Sequence, residues 1–189
     1  MSTKGDLSRK RILDAARLLF AEKGFSKVTM QDICTASGLS RGGLYRHYSS
    51  TAEVFSAIIR DEQAQAHKAL EKAVASNISP RQIMTVFLRS RLAQLLQPKN
   101  CIDNAISEFA ANSPEGKALL AERAAGSVKI FSKLLHMGVE TGIFRCENCE
   151  ATAIHILCLM EGLSKHNALL PLSQEDIETQ MVLINRLFI

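Results

Sequence analysis

Residues 29–48, TMQDICTASGLSRGGLYRHY, constrain the fold most strongly, because they predict two short helices joined by a tight turn. Thr29 is placed to cap the first helix, and Asp32 stands three residues later, where a capping box has its second partner. Gly38 in the turn can adopt the left-handed conformation, and Ser40 is placed to cap the second helix. This pattern is typical of a helix-turn-helix that binds DNA.

The second helix of this pair, predicted over residues 41–47, offers only Leu44 to a core and contains two adjacent glycines. Gly42 and Gly43 each cost a helix interior about 1 kcal/mol relative to alanine. Close approach to the wall of a DNA groove would account for them. The alternative is a surface helix pair that packs against a neighbour and binds no nucleic acid. The side chains predicted to point outward are of types that contact phosphates and bases, namely Ser40, Arg41, Tyr45, Arg46 and His47.

The positive charge of the chain is concentrated in the segment that holds this helix pair. Residues 1–50 contain nine Lys or Arg against four Asp or Glu, a net charge of +5, whereas the remaining residues contain 14 basic and 15 acidic side chains, a net charge of −1. A phosphate-binding surface needs such a local positive field. A basic face that is merely solvated would not explain why the charge and the helix pair coincide.

Another helix is predicted before the pair, over residues 8–23, with Gly24 as its end. Residues 1–7 are expected to form a mobile arm. Together these segments predict a three-helix DNA-binding head over residues 1–50. The apolar positions that carry the helical period of the first helix are Ile12, Leu13, Ala16, Leu19 and Phe20.

Every periodic segment after residue 50 is helical, and none alternates in the manner of a strand. A long helix is expected over residues 52–75, as a connection between the head and the rest. The sequence therefore predicts an all-α fold of about nine helices, in which the head is followed by a helical bundle over residues 51–189. Prolines and turn residues place its other helices at 80–96, which Pro98 closes, 102–112, 114–140, 151–166 and 174–188.

The last two predicted helices are the most apolar. Residues 151–166 are apolar nearly all the way round yet too short to span a membrane, and residues 174–188 carry an apolar stripe. Both helices need a partner surface, and pairing with their symmetry mates would form a four-helix interface in a two-fold dimer. We therefore expect a homodimer through these two helices. The alternative is that they form the core of the monomer itself.

Two segments resemble the amino-terminal motif of the TetR family of bacterial transcriptional regulators. They are RKRILDAARLLFAEKGF at residues 9–25 and TMQDICTASGLSRGGLYRHYSSTAEVFSAII at residues 29–59, and they follow the family's head motif almost position by position. The resemblance is specific over about the first third of the chain. Beyond it, only the number and order of the helices match.

This resemblance implies a homodimer whose two heads enter successive major grooves of a near-palindromic operator in double-stranded DNA. It also implies a body over residues 51–189 that binds a small-molecule effector. The expected function is a repressor that the effector releases from its operator, by shifting the long fourth helix and with it the spacing of the two heads.

The resemblance also implies roles for individual residues of the head. The family usually has a lysine at the start of the fourth helix, where this chain has Thr51. A hydroxyl or the amino end of the helix would therefore replace that cationic phosphate contact. The implied assignments are Thr29 and Gln31 near the DNA backbone, Ser40, Arg41, Gly42 and Gly43 at base edges, and Tyr45, Arg46 and His47 at phosphates or bases.

Apolar side chains of the predicted body helices are candidates for an effector pocket, with polar groups supplied by His67, Asn104 or Glu108. Apolar residues at helical spacing are more often plain core, which is the alternative for each of them. The candidate pocket residues are Met84, Phe87, Arg91, Phe109, Phe131 and Leu135.

Five cysteines occur in a chain whose start lacks an apolar signal segment, so reduced thiols and a cytoplasmic protein are expected. Cys34 and Cys158 are expected to be small buried side chains, and Cys101 an ordinary residue at a helix start. Cys146 and Cys149 have the spacing of a metal-binding or redox pair. A single pair of this kind is more often a plain loop, and a thiol- or metal-responsive regulator stays as an alternative.

No catalytic motif is recognisable in the sequence. It contains no Ser-His-Asp set in a known context, no His-Glu-x-x-His motif, no P-loop and no glycine-rich dinucleotide turn. We therefore expect a protein that is not an enzyme and needs no cofactor or metal. A helical small-molecule carrier without regulatory DNA binding is a further alternative, and such a carrier would fail to bind any operator.

Overall fold

The computed structural model describes residues 4–95 and 102–189 of the chain, and within these ranges every regular element is an α-helix. The predicted all-α class is therefore confirmed. None of the described helices is long and apolar enough to cross a lipid bilayer. The helices of the described residues are α1 (Lys4–Lys23), α2 (Met30–Ser37), α3 (Arg41–Tyr45), α4 (Thr51–Ala75), α5 (Pro80–Leu95), α6 (Asp103–Asn112), α7 (Pro114–Glu140), α8 (Cys149–Leu169) and α9 (Gln174–Asn185).

Most helices begin and end within a few residues of their predicted limits. The expectation of an arm over residues 1–7 is wrong for residues 4–7, because α1 already begins at Lys4. α8 begins two residues before its predicted start, since the side chain of Asn148 caps its amino end. The predicted closure of the fifth helix at Pro98 and the predicted place of Cys101 at a helix start lie outside the described residues.

The described residues pack as two compact units. The head unit comprises residues 4–63 and 102–123, and the body unit comprises residues 64–95 and 124–189. α4 and α7 each contribute residues to both units, and α6 belongs to the head unit. The limits of these packing units differ from the predicted division into residues 1–50 and 51–189. That division into a DNA-binding part and an effector-binding part stays a prediction.

An aromatic cluster explains why α6 belongs to the head unit. The ring of Phe109 in α6 lies 4.5 Å from that of Phe25 and 5.6 Å from that of Phe55, measured between centroids. Phe20 packs edge-on against Phe55 at 4.6 Å. These rings bury large apolar surfaces, so α6 completes the core on which α1 and the start of α4 pack.

The body unit has a separate core formed by α5, α8, α9 and the body parts of α4 and α7. The rings of Phe87 and Phe131 meet edge to face at 4.6 Å, and those of Phe144 and Phe188 at 4.8 Å. The backbone N–H of Arg145 donates a 3.0 Å hydrogen bond to the carbonyl of Phe188. The loop before α8 is thereby attached to the end of the chain.

Candidate nucleic-acid interface

The amino end of α2 is held by a reciprocal cap, as the sequence predicts. Thr29 Oγ1 accepts a hydrogen bond from the Asp32 N–H at 3.1 Å, while the Asp32 carboxylate accepts from the Thr29 N–H at 2.9 Å and from its hydroxyl at 2.6 Å. The Lys23 ammonium lies 3.2 Å from the other carboxylate oxygen. These bonds lower the pKa of Asp32 to about 2, and the hydrogen bond from the Thr29 hydroxyl has the largest effect.

The turn between α2 and α3 depends on a left-handed residue and on a contact with α1. Gly38 has φ 66°, and its N–H donates to the carbonyl of Thr35 at 3.3 Å. A side chain at this position would be strained by that φ value. The guanidinium of Arg11 donates a 2.8 Å hydrogen bond to the carbonyl of Ser37. The angle between α2 and α3 is therefore fixed by local caps and by α1.

α3 is shorter than predicted, because it ends at Tyr45 instead of residue 47. Ser40 Oγ accepts the N–H of Gly43 at 3.1 Å and so caps the helix. Leu44 is fully buried and anchors α3 on the head core. The chain leaves the helix after Tyr45, since Tyr48 turns back into the same core.

The two glycines of α3 differ in their surroundings. A Cβ atom built on Gly43 would lie 3.2 Å from Ser40 Oγ and 3.8 Å from the Cβ of Leu39, so the cap itself crowds this position. A Cβ atom on Gly42 would meet no atom of the described chain within 4 Å, apart from its chain neighbours and the nearby backbone of α3. Packing within the described residues therefore gives no reason for glycine at position 42, whose backbone faces solvent.

The other side chains predicted to contact DNA are exposed on and beside α2 and α3. Tyr45 retains 46% of its accessible surface, and Gln31, Arg41 and His47 are also exposed. Arg46 is exposed as well, although its Nε donates a 3.2 Å hydrogen bond to the carbonyl of Gly42. The helix pair thus presents cationic, aromatic and amide groups together with the exposed residue Gly42.

Thr51, the predicted substitute for the family's lysine, is the first residue of α4 and is half-buried. Its neighbours form the cap of this helix. Ser50 Oγ accepts the N–H of Glu53 at 3.2 Å, and the Glu53 carboxylate accepts the N–H of Ser49 at 2.6 Å. The amino end of α4 is therefore held by Ser50 and Glu53.

Glu108 was a candidate for the wall of an effector pocket, but the structure places it in the head unit. Its carboxylate accepts hydrogen bonds from the backbone N–H and the hydroxyl of Ser26, in the turn between α1 and α2. Gly24 has φ 78°, and a Cβ atom there would lie 2.5 Å from Glu108 Oε1. Sequence reasoning identified Gly24 as a helix end but missed this contact, because nothing local in the sequence signals it.

The candidate pocket residues are divided between the two units. Phe109 is buried in the core of the head unit, so its share in an effector pocket stays a prediction. Its ring is held there by Phe25 and Phe55. The other candidates lie in the body unit, where Met84, Phe131 and Leu135 are buried core residues and Phe87 and Arg91 are half-buried.

Two further polar candidates for the pocket lie on the surface. His67 is exposed, and its Nε2 lies 3.3 Å from the carboxylate of Glu71, one turn further along α4. Asn104 in α6 is exposed as well. Neither side chain faces the core of its unit.

Comparison with known proteins places the helix pair inside a shared segment. The family model for bacterial regulatory proteins of the tetR family matches residues 12–58. The uncharacterised HTH-type transcriptional regulator YfiR of Bacillus subtilis is 30% identical over 147 residues, which cover 74% of this chain and 69% of that protein. The HTH-type transcriptional repressor KstR2 of Rhodococcus jostii is 25% identical over 142 residues, with the same 74% and 69% coverage.

A solved structure extends the likeness to the whole fold. A regulator from Saccharomonospora viridis, crystallised in complex with choline, superposes with a TM-score of 0.76. The superposition covers 95% of this chain and 94% of that chain, at 18% sequence identity. At this identity the likeness concerns the fold alone.

Proposed function

The chain belongs to the TetR family of bacterial transcriptional regulators, and from this premise we propose that it is a repressor released from a near-palindromic operator by a small-molecule effector. That it is a DNA-binding transcriptional regulator follows from the family itself. The observation that carries the proposed mode of binding is the exposed backbone at Gly42, where an added Cβ atom would meet no atom of the described chain within 4 Å beyond its chain neighbours and the nearby backbone of α3. Such a position suits close approach to a groove wall.

In this proposal α3 enters the major groove and reads base edges. Arg41 has the side-chain type that pairs bidentately with guanine, and Ser40 can donate its hydroxyl proton while its oxygen caps α3. Tyr45, Arg46 and His47 contact phosphates or neighbouring bases. To bind a phosphate, Arg46 would exchange its present bond to the carbonyl of Gly42.

Contacts to the DNA backbone are proposed for Thr29, Gln31 and Thr51. The hydroxyl of Thr29 is already bonded in the cap with Asp32, so its contribution is mainly to hold the amino end of α2 at the phosphates. Gln31 is exposed and one residue into α2. Thr51 supplies a neutral hydroxyl where a lysine is usual, which predicts a weaker dependence of operator affinity on salt.

We propose that the protein dimerises through α8 and α9. Apolar side chains of both helices are exposed in the single chain, where Ile154 retains 46%, Val182 53% and Leu183 45% of their accessible surface. Such exposure on neighbouring elements is typical of an unfilled interface. A two-fold axis through this surface would form a four-helix interface and present two heads to two half-sites.

The effector is proposed to bind in the body unit, near Met84, Phe87, Arg91, Phe131 and Leu135. Choline in the complex from Saccharomonospora viridis gives one example of a small molecule bound by a protein of this fold. α4 contributes residues 51–63 to the head unit and 64–75 to the body unit. Suppose that the protein has two conformations that differ in the placement of α4. A ligand that binds one conformation more tightly would raise the population of that conformation and thereby change the operator affinity.

No catalytic role is proposed, and a DNA-binding regulator of this kind is expected to act in the cytoplasm. Selection of bound fragments from random duplexes tests the central proposal. We expect enrichment of an inverted repeat, with affinity that falls steeply as salt increases. Enrichment of no sequence, or of sites without two-fold symmetry, would contradict it.

Candidate effectors are then tested for their effect on the selected operator. An effector should reduce operator affinity in proportion to its preference for the DNA-free protein. A compound that binds tightly without changing operator affinity is excluded as the inducer. If every bound compound raises operator affinity, the protein is a corepressor-dependent or activating regulator instead.

A further inference from the structure

We propose that Cys146 and Cys149 form a reversible disulfide when a hydroperoxide oxidises the protein, so that the loop before α8 is a redox modification site. The proposal concerns the body unit alone and does not depend on DNA binding. It rests on the positions of the two sulfurs, their different exposure and the fixed backbone on either side of them.

The two thiols lie together at the amino end of α8. Cys149 is the first residue of this helix and is only 5% exposed, within the core of the body unit. Cys146 packs against the edge of the same core and is half-buried, and the two free thiols are hydrogen-bonded to each other. A spacing of three residues across a helix start is one that redox-active dithiols use.

The backbone around the pair is held on both sides. Before Cys146, the N–H of Arg145 donates to the carbonyl of Phe188 at 3.0 Å. After it, the Asn148 side chain accepts the N–H of Ala151 at 2.9 Å and fixes the first turn of α8. Closing a short ring between two positions that are already fixed costs little further conformational entropy.

The difference in exposure assigns a role to each sulfur. Cys146 is the one that solvent reaches, and its thiol lies 3.1 Å from the hydroxyl of Thr152. That hydroxyl can turn its proton toward the sulfur once the thiol has ionised. Burial, followed by the bond to Cys146, raises the pKa of the Cys149 thiol to about 11, so Cys149 stays protonated at neutral pH.

The reaction balances with the peroxide as the oxidant. The thiolate of Cys146 attacks the O–O bond, which breaks to release an alcohol or water and leaves a sulfenic acid on Cys146. The Cys149 sulfur then attacks the Cys146 sulfur, hydroxide leaves, and the proton of Cys149 converts it to water. Two electrons pass from the two thiols to the peroxide, and an external dithiol reverses the change.

A metal site at Cys146 and Cys149 has less support than a disulfide. Among the described residues, no group of three or more His, Cys, Asp or Glu side chains could hold a metal ion. Two thiolates alone do not complete the four-coordinate site that zinc requires.

The test uses the reduced 189-residue chain and hydrogen peroxide, followed by alkylation of the remaining free thiols. A protease that cleaves after glutamate releases residues 141–147, 148–150 and 151–161, which carry Cys146, Cys149 and Cys158 separately. We expect the first two fragments as one linked species, two hydrogen atoms lighter than their sum, that dithiothreitol separates. Free thiols at both positions, or linkage of either fragment to another cysteine, would overturn the proposal.

Three variants separate a redox pair from ordinary thiol damage. Cys146→Ser should slow the loss of the free Cys149 thiol by about tenfold or more, because the buried sulfur is no longer reached through its partner. Cys149→Ser should leave Cys146 as a sulfenic acid that a dimedone probe captures. Cys158, which the sequence predicted to be buried, is exposed on α8, so Cys158→Ser should leave the linkage unchanged. Equal oxidation rates for Cys149 in the wild type and in Cys146→Ser would also overturn the proposal.

Discussion

The carboxylate of Glu108 accepts two hydrogen bonds from Ser26, one from its backbone N–H at 3.1 Å and one from its hydroxyl at 3.2 Å, across 82 positions of the chain. Ser26 lies in the turn that leads from α1 into α2. A side chain at Gly24 in the same turn would be strained by the φ value of 78° and would displace the Glu108 carboxylate. α6 therefore helps to hold the turn that leads into the helix pair, although it comes much later in the sequence.

Replacing Glu108 with alanine should destabilise the protein and weaken operator binding. Both bonds to Ser26 are lost, at about 1 kcal/mol each, and the turn into α2 gains freedom. Urea unfolding and operator titration measure the two effects. Asn104→Ala is the matched control, because Asn104 is exposed on the same helix. Equal results for the two variants would show that the contact with Ser26 is unimportant.

The two glycines of α3 should respond differently to alanine. Gly42→Ala is expected to raise the free energy of unfolding by up to about 1 kcal/mol, through better helix propensity, while operator affinity falls because the methyl group meets the groove wall. Gly43→Ala should not raise the free energy of unfolding in this way, because its methyl group would crowd Ser40 Oγ. Thermal melting and operator titration distinguish them. A Gly42→Ala protein that binds the operator normally would exclude close approach at this position.

Arg41 should contribute to sequence discrimination. Arg41→Ala is expected to weaken operator binding by about 1 to 3 kcal/mol, with a loss that depends on the base pair it reads. Titration against single-base operator variants measures this dependence. Lys129→Ala, which removes an exposed charge in the body unit, is the control for net charge. A loss that is uniform across sequences would reassign Arg41 to a phosphate.

Thr51→Lys should restore the cationic contact that is usual in the family. We expect tighter operator binding at low salt and a plot of log affinity against log salt that is steeper by about one per head. Thr51→Gln, which lengthens the side chain without adding charge, is the comparison. The same slope in both variants would mean that no phosphate lies within reach of this position.

The cap of α2 predicts a contribution to acid stability. The pKa of Asp32 is lowered to about 2 from an ordinary 3.8, so its ionised form stabilises the folded state. This contribution is complete above pH 3.8 and is lost as the pH falls toward 2. Asp32→Asn should therefore have a lower unfolding temperature than the wild type at neutral pH. At pH 2 the unfolding temperatures of the two proteins should differ less. NMR titration of the wild-type carboxyl group measures the pKa directly, and an ordinary value would contradict the cap.

The proposed dimer interface is tested by charge insertion. Leu183→Glu should convert the protein to a monomer with much weaker operator binding, because a carboxylate would be buried between two copies of α9. Val86→Glu is the matched control on α5, where Val86 is 68% exposed and outside the proposed surface. Sedimentation equilibrium measures the oligomeric state. Dimers of Leu183→Glu would indicate a different interface.

The helix-turn-helix was predictable from sequence because its determinants are local. The cap by Thr29 and Asp32, the left-handed Gly38 and the cap by Ser40 all act within four residues, and the structure confirms each of them. Leu44 was predictable as the anchor of α3, since it is the only large apolar residue of that helix.

The contribution of α6 to the head was not predictable in this way. Phe109 has the same periodic spacing as any core residue of a bundle, and only the folded chain shows that it packs on Phe25 and Phe55. Glu108 likewise gave no sign of its partner Ser26, because the contact joins distant segments. The earlier start of α8, by contrast, has a local signal, since the Asn148 side chain caps the helix by accepting the N–H of Ala151.

The head unit is formed by two separate segments of the chain, because α6 follows α5 of the body unit. This arrangement affects how the protein can evolve. A recombination event that exchanged residues 1–63 between two relatives would bring Phe25, Phe55 and Ser26 to an α6 that had adapted to other neighbours. Phe109 and Glu108 therefore keep their contacts only where residues far upstream remain compatible with them. Operator preference in such a lineage would evolve by substitution within one intact gene more readily than by exchange of heads.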